Sequence, residues 1–261
     1  MRALLMALRA SLYFMNFLIL LVIVPLAWTP FGAGRAELRT LVKLAARNTF
    51  RIFGVSWSIR GAESLDPNQN YIFIANHRSW LDQAVMILAA PQLLSFLGKE
   101  AYFRIPVLRT TLRIFKCIPV PKEAGNLIAK LAERLSAGDS LVVYPEGTRS
   151  VDDTFLDFKS GAFVLSEKTG IPIVPIYIYG AKEILPRAEP FTRVKPGALQ
   201  AVVGEPFTIE EGVTPELLER VRAQYIEEFE SRRPKAFEGK ISTLVGRNLD
   251  AQMKARATSV G

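Results

Sequence analysis

Apolar positions divide the chain into three regimes. From Ser11 to Trp28 no charge interrupts the sequence, and only Ser11, Asn16 and Pro25 break its apolar character. That is the pattern of a membrane-inserted helix. At 1.5 Å per residue it reaches about 27 Å against a hydrocarbon core of about 30 Å, and Pro25 kinks or ends it, so a full span and a half-inserted helix both fit. A cleaved signal peptide is the rival reading, but no small-x-small site follows directly and the basic stretch downstream opposes export. In the second regime Arg35, Arg39, Lys43, Arg47 and Arg51 stand four residues apart, with Leu38, Leu41, Val42, Ala45 and Ile52 on the opposite arc. The spacing predicts an amphipathic helix with a basic stripe, suited either to a lipid interface or to packing on the protein's own core with a solvated face.

Beyond Gly61 the periodicity alternates. Runs rich in β-branched and aromatic residues at 71–75, 93–97, 118–120, 141–144, 173–179 and 198–203 predict strands, most of them fully buried. Between them 81–89, 106–115, 124–135 and 161–168 carry helical spacing, and Thr214 followed by Pro215 starts a helix that runs to Arg232. Gly138 and Gly170 stand where helices end. Strand and helix in turn mean an α/β fold: a mixed, mostly parallel sheet flanked by helices, behind an N-terminal membrane-associated helical segment. The expected organisation is a membrane-anchoring segment at 1–53, an α/β domain at 54–234 and a polar, basic tail at 235–261.

Composition narrows the function. Apolar residues make up 49% and charged residues 22%, which excludes a disordered chain and a polytopic transporter. One Cys and one His exclude a disulfide framework and a Cys/His zinc site, so no metal is expected. The net charge of +8 is concentrated at one end, because residues 1–60 hold eight basic residues against Glu37 alone. A nearly neutral body behind a basic, apolar leader points to an anionic membrane surface rather than to nucleic acid. By the positive-inside rule the domain faces the cytoplasmic side of a cell membrane.

Two motifs carry chemistry. The sole histidine lies in Asn76-His77-Arg78-Ser79-Trp80-Leu81-Asp82, where a buried strand gives way to a helix. Strand ends are where α/β folds place sites, and a carboxylate in a first helical turn can reach back to orient an imidazole. The second is Pro145-Glu146-Gly147-Thr148-Arg149-Ser150, again at a strand end. Gly147 lets backbone amides approach an anion and Arg149 offers a bidentate fork for phosphate; an ordinary turn with a solvated ion pair is the competing account.

Together these motifs, about 65 residues apart, resemble the glycerolipid acyltransferase family, and most closely its bacterial 1-acylglycerol-3-phosphate acyltransferases. Lys99 to Lys122 lies where the family has a second motif, Ile173-Val174-Pro175-Ile176 is similar to its fourth, and Phe158-Lys159-Ser160-Gly161-Ala162 is similar to the run after its third. Lys116 and Lys122 stand where the family has a glycine and an arginine, and lysine keeps the charge of Lys122 without the planar fork.

The resemblance implies direct transfer of a fatty acyl group from acyl-CoA or acyl-carrier protein to the sn-2 hydroxyl of lysophosphatidate. No cofactor is implied beyond that donor. His77 is then the general base and Asp82 its orienting partner. Arg149, the loop around Gly147, Thr148 and Ser150, and Lys99 and Lys122 are the acceptor's phosphate contacts, with Glu146 hydrogen-bonding the glycerol or positioning Arg149. Another lysolipid acceptor, such as a lyso-ornithine lipid, suits the same dyad. A non-catalytic membrane-surface protein leaves both motifs unexplained, and Lys159-Ser160-Gly161 is not the nucleophile elbow of a serine hydrolase.

Overall fold

A computed structural model describes residues 8, 11–13, 15, 35–121, 126–150, 154–190 and 193–237. Among them seven strands join one sheet: β1 (Val55–Arg60), β2 (Ile72–Ala75), β3 (Leu94–Lys99), β4 (Ile118–Val120), β5 (Ser140–Val143), β6 (Ile173–Tyr179) and β7 (Gly197–Val203). The order is β1-β7-β6-β2-β5-β3-β4, and every neighbouring pair is parallel except β6 with β7. The mixed, mostly parallel sheet expected from the alternation is therefore present.

Seven α-helices accompany these strands among the described residues: α1 (Arg35–Phe53), α2 (Asp82–Ala89), α3 (Pro106–Ile114), α4 (Leu127–Ser136), α5 (Gly161–Thr169), α6 (Ala181–Ile184) and α7 (Pro215–Ser231). Thr214 caps α7, its hydroxyl accepting from the Leu217 amide at 3.2 Å. Gly138 and Gly170 adopt positive φ (85° and 66°) just past α4 and α5, the conformation that ends a helix without a Cβ penalty.

The central strand β2 shows how the layers are made. Its four residues are wholly buried and alternate in direction. Phe73 and Ala75 join Phe50, Phe53 and Met86 on the side of α1 and α2. Ile72 and Ile74 join Leu131, Phe163 and Phe229 on the side of α4, α5 and α7. Each such large side chain contributes about 1.5 to 3 kcal/mol of burial.

Helix α1 is part of this core. Leu38, Ala45, Phe50 and Phe53 are buried, and Phe50 and Phe53 belong to the same cluster as the α2 residues Val85 and Met86. Of the apolar arc read from the sequence, Leu41 stays exposed. The basic stripe divides as well: Arg39 donates to the carbonyl of Pro91 at 2.7 Å, Lys43 is half-buried, and Arg47 and Arg51 are exposed. Most of the apolar run at 11–28 lies outside the described residues, although Tyr13 packs on Phe53 at 5.3 Å between ring centroids. Among the described residues no helix is long and apolar enough to cross a membrane. Most of the tail expected at 235–261 lies outside them too.

Candidate active site

Parallel pairing brings the C-terminal ends of β2, β5 and β3 to one edge of the sheet. His77 follows β2, the segment 145–150 follows β5, and Lys99 closes β3.

Asp82 is the first residue of α2 and is completely buried. Its Oδ2 accepts from the backbone amides of Arg78 (2.7 Å) and Ser79 (2.9 Å) and lies 2.8 Å from His77 Nδ1. An oxygen receiving two amide hydrogens is an acceptor, so Nδ1 carries the hydrogen and the lone pair sits on Nε2. The His77 side chain is 13% exposed, which leaves it reachable from outside. Four residues between His and Asp suffice because the chain turns from strand to helix over them, held by Ser79 Oγ, which donates to the Leu185 carbonyl at 2.8 Å and accepts from the Leu81 amide at 3.2 Å.

The neighbours of the dyad fix it further. Asn76 is tied to β6 by a pair of hydrogen bonds with Ile178 (2.9 and 2.8 Å). The Arg78 guanidinium turns to the other layer, over the ring of Phe155 at 4.7 Å. Tyr144, the residue after β5, stacks on the imidazole with ring centroids 3.8 Å apart and 14° between planes. Burial, and secondarily the charge of Asp82, push its phenol well above the usual range. Tyr144 was not singled out in the sequence, where it reads as the apolar end of a strand; its hydroxyl and Asp82 Oδ1 are buried with no protein partner among the described residues.

The second motif folds over the first. Ser150 donates its amide to the His77 carbonyl at 2.9 Å. Glu146 is buried, and its two oxygens accept from the backbone amides of His77 (3.3 Å) and Leu156 (3.1 Å). The structure thus brings Glu146 to the backbone of His77. Desolvation raises its pKa, against two amide bonds and the charges of Arg78 and His77 that lower it. Gly147 has φ of +71°, the backbone conformation that calls for glycine, and the end of the Lys159 side chain lies across the loop, 2.6 Å from where a Cβ would stand.

Arg149 lies 4.2 Å from the centroid of the Trp80 ring, a cation–π contact. Its pKa is lowered by desolvation first and the charge of Arg187 next, while Asp82 acts the other way. Thr148 and Lys99 are exposed, and no ion pair of Lys99 occurs among the described residues. Lys122 lies outside the described residues.

A cavity of about 670 Å³ is lined in part by Trp80. Its walls are Val42 of α1, Ile87 of α2, Phe96 of β3 and Leu108 and Leu112 of α3, with Tyr13 and Cys117 also at its surface. The size is that of a small-molecule site. Nothing in the linear pattern announces it, since its apolar lining residues read as ordinary core and come from separate elements. Cys117 is half-buried, and desolvation pushes its thiol up to about 11.

Comparison with known proteins agrees with this geometry. Residues 36–179 match the family model described as Acyltransferase. The chain is 33% identical over 133 residues to the chloroplastic 1-acyl-sn-glycerol-3-phosphate acyltransferase BAT2 of Brassica napus, a match covering 49% of this chain and 38% of that protein. It is 28% identical over 182 residues to 1-acyl-sn-glycerol-3-phosphate acyltransferase alpha of Mus musculus, covering 67% of this chain and 63% of that one. The chain thus spans less than two thirds of these relatives. The crystal structure of the 1-acyl-sn-glycerophosphate (LPA) acyltransferase PlsC from Thermotoga maritima superposes with a TM-score of 0.73 at 23% identity, over 90% of this chain and 100% of that one, so the fold is shared. With the family model covering more than half of its length, the chain belongs to the acyltransferase family.

Proposed function

We propose that the protein transfers a fatty acyl group from the thioester of acyl-CoA or acyl-carrier protein to the sn-2 hydroxyl of lysophosphatidate at a cytoplasmic membrane surface, giving phosphatidate. The observation that carries this is the His77–Asp82 hydrogen bond, which leaves Nε2 as the ring nitrogen able to take a proton, on the loop whose Trp80 meets both Arg149 and an apolar cavity. As the acceptor hydroxyl attacks the thioester carbonyl, its proton passes to Nε2 and Asp82 stabilises the imidazolium. Collapse of the tetrahedral intermediate breaks the C–S bond, and the departing thiolate takes the proton from Nε2. The new ester and the free thiol leave the enzyme unchanged, with no acyl-enzyme.

The fatty chain fits the cavity beside Trp80, and Arg149 suits the acceptor's phosphate. Glu146 and Tyr144 act through His77, the first by holding its backbone and the second by stacking on its ring. The lysophosphatidate acceptor is further supported by the activity named for the relatives. The basic face of α1 and the apolar run before it supply the membrane contact in this reading.

The test is a panel of lysophospholipid and monoacylglycerol acceptors with labelled acyl-CoA and acyl-carrier protein, run on wild type and His77→Ala. Lysophosphatidate is expected as the best acceptor, and His77→Ala is expected to lower kcat by about 10²- to 10⁴-fold. Near-normal turnover in the purified variant removes His77 from the mechanism, and preference for an amine-bearing lysolipid replaces the acceptor.

A further inference from the structure

We infer that Arg187 is a second guanidinium of the acceptor site, and that Arg149 and Arg187 together select a phosphomonoester over a phosphodiester. The inference rests on the reading of the site as a lysophospholipid acyltransferase and deepens it by naming what sets the choice of acceptor.

The two arginines are 38 residues apart and are laced together reciprocally. Arg149 Nη1 donates to the Arg187 carbonyl at 3.4 Å, and Arg187 Nη1 donates to the Arg149 carbonyl at 2.5 Å. Each guanidinium is thereby held near the other's backbone, and the two charges are close enough for Arg187 to lower the pKa of Arg149. No carboxylate forms an ion pair with either of them among the described residues. The nearby Asp82 has its Oδ2 committed to His77 and two amides. Two cations kept side by side, with no carboxylate paired to either among the described residues, repel each other, and an anion lodged between them removes that cost while receiving charge-assisted hydrogen bonds from both.

Arg187 is also placed by the catalytic loop itself. Leu185, fully buried two residues earlier, accepts the hydroxyl of Ser79, which lies two residues beyond His77. Arg187 remains exposed, so its unused donors are open to a ligand. A phosphomonoester carries about −1.5 to −2 charges at pH 7 with three acceptor oxygens. A phosphodiester carries one charge on two free oxygens. The charge and the donor count of an arginine pair match the first.

Steady-state kinetics of the full chain in mixed micelles decide the matter, with wild type, Arg187→Gln and Arg187→Lys acting on lysophosphatidate and on lysophosphatidylglycerol. Where the diester turns over too slowly, it serves as a competitive inhibitor and Ki replaces KM. Arg187→Gln is expected to raise KM for lysophosphatidate by about 10- to 150-fold, the worth of one hydrogen bond to a charged group, and to change the diester constant by less than about 3-fold. Arg187→Lys is expected to fall between, keeping charge without the fork.

The 3′-phosphate of CoA is the other phosphomonoester at hand. Repeating the series with acyl-dephospho-CoA separates the two, since persistence of the lysophosphatidate effect assigns it to the acceptor and its disappearance overturns the assignment. Equal fractional losses on monoester and diester make Arg187 a clamp of the two loops and overturn the inference alone. Failure of wild type to acylate any lysophospholipid removes the reading beneath it as well.

Discussion

Asp82 Oδ2 receives two backbone amides and faces the imidazole, so the carboxylate that orients His77 is itself oriented by the loop that carries His77. The backbone of His77 is gripped from the other side by Glu146. Glu146 is an acid whose pKa is raised on folding, so the folded state binds more protons than the unfolded chain. Its contribution is therefore fullest below the ordinary carboxylate pKa and declines as pH rises through the raised folded value. Glu146→Gln removes that titration, and the melting temperature of the variant is expected to rise relative to wild type as pH climbs from about 4 to 8. The same change leaves one of two amides facing an NH2 group, and the loosened His77 is expected to cost about tenfold in kcat, near the 1.4 kcal/mol of a lost hydrogen bond. Parallel pH–stability curves for the two proteins, with unchanged kcat, contradict both halves of this account.

At the scale of elements, α1 belongs to two environments at once. Phe50 and Phe53 anchor it on the sheet, while Arg47 and Arg51 point to solvent beside exposed Leu44. Reversing both arginines to Glu is expected to leave the fold intact and to weaken binding to anionic vesicles by about 1 kcal/mol per basic residue, roughly thirtyfold for the pair before the added repulsion is counted. Flotation that ignores the reversal and ignores salt assigns the stripe to solvent alone.

Short apolar runs bounded by turn signals are legible from the sequence. Ile173–Tyr179 and Ile118–Val120 have the limits the sequence predicts, because an unbroken apolar run between turn signals leaves little else to be. The run 55–60 was not read as a strand. It is an edge strand paired only with β7, and its Ser56, Trp57 and Ser58 are exposed, so its apolar signal is diluted. Helix α6 spans four residues, too few for a helical period to register. Lys116, which stands where the resembling family has a glycine, explains that glycine: its φ is 54°, and an ion pair with Asp139 accompanies the strained backbone. The dyad was legible because both partners lie within one turn of chain. The Tyr144 stack and the Arg149–Arg187 lacing were not, since they join segments 67 and 38 residues apart through packing that no local pattern encodes.

The whole molecule sets a polar edge against an apolar hollow, with Trp80 between them. Arg149 lies over the Trp80 ring, and the same tryptophan lines the cavity. In the proposed reaction a thioester spanning that boundary would place its carbonyl near His77 and its hydrocarbon between α1, α2 and α3. In that reading the cavity's volume limits chain length, and the Cys117 thiol at its surface takes no part in the transfer. Desolvation pushes that thiol up to about 11, which keeps it protonated and weakly nucleophilic near neutral pH. Two substitutions on this wall separate shape from chemistry. Leu112→Trp fills the hollow from α3 and is expected to lower kcat/KM for hexadecanoyl donors at least tenfold while sparing dodecanoyl donors, because several methylenes at about 0.8 kcal/mol each lose their place. Cys117→Ala, which only deepens the wall, is expected to keep turnover within about threefold for both. Competition between the two donor lengths in one reaction reads the ratio directly. A ratio unmoved by Leu112→Trp moves the acyl chain out of this cavity, and an acylated Cys117 found by mass spectrometry, lost together with turnover in the alanine variant, replaces direct transfer by a covalent route.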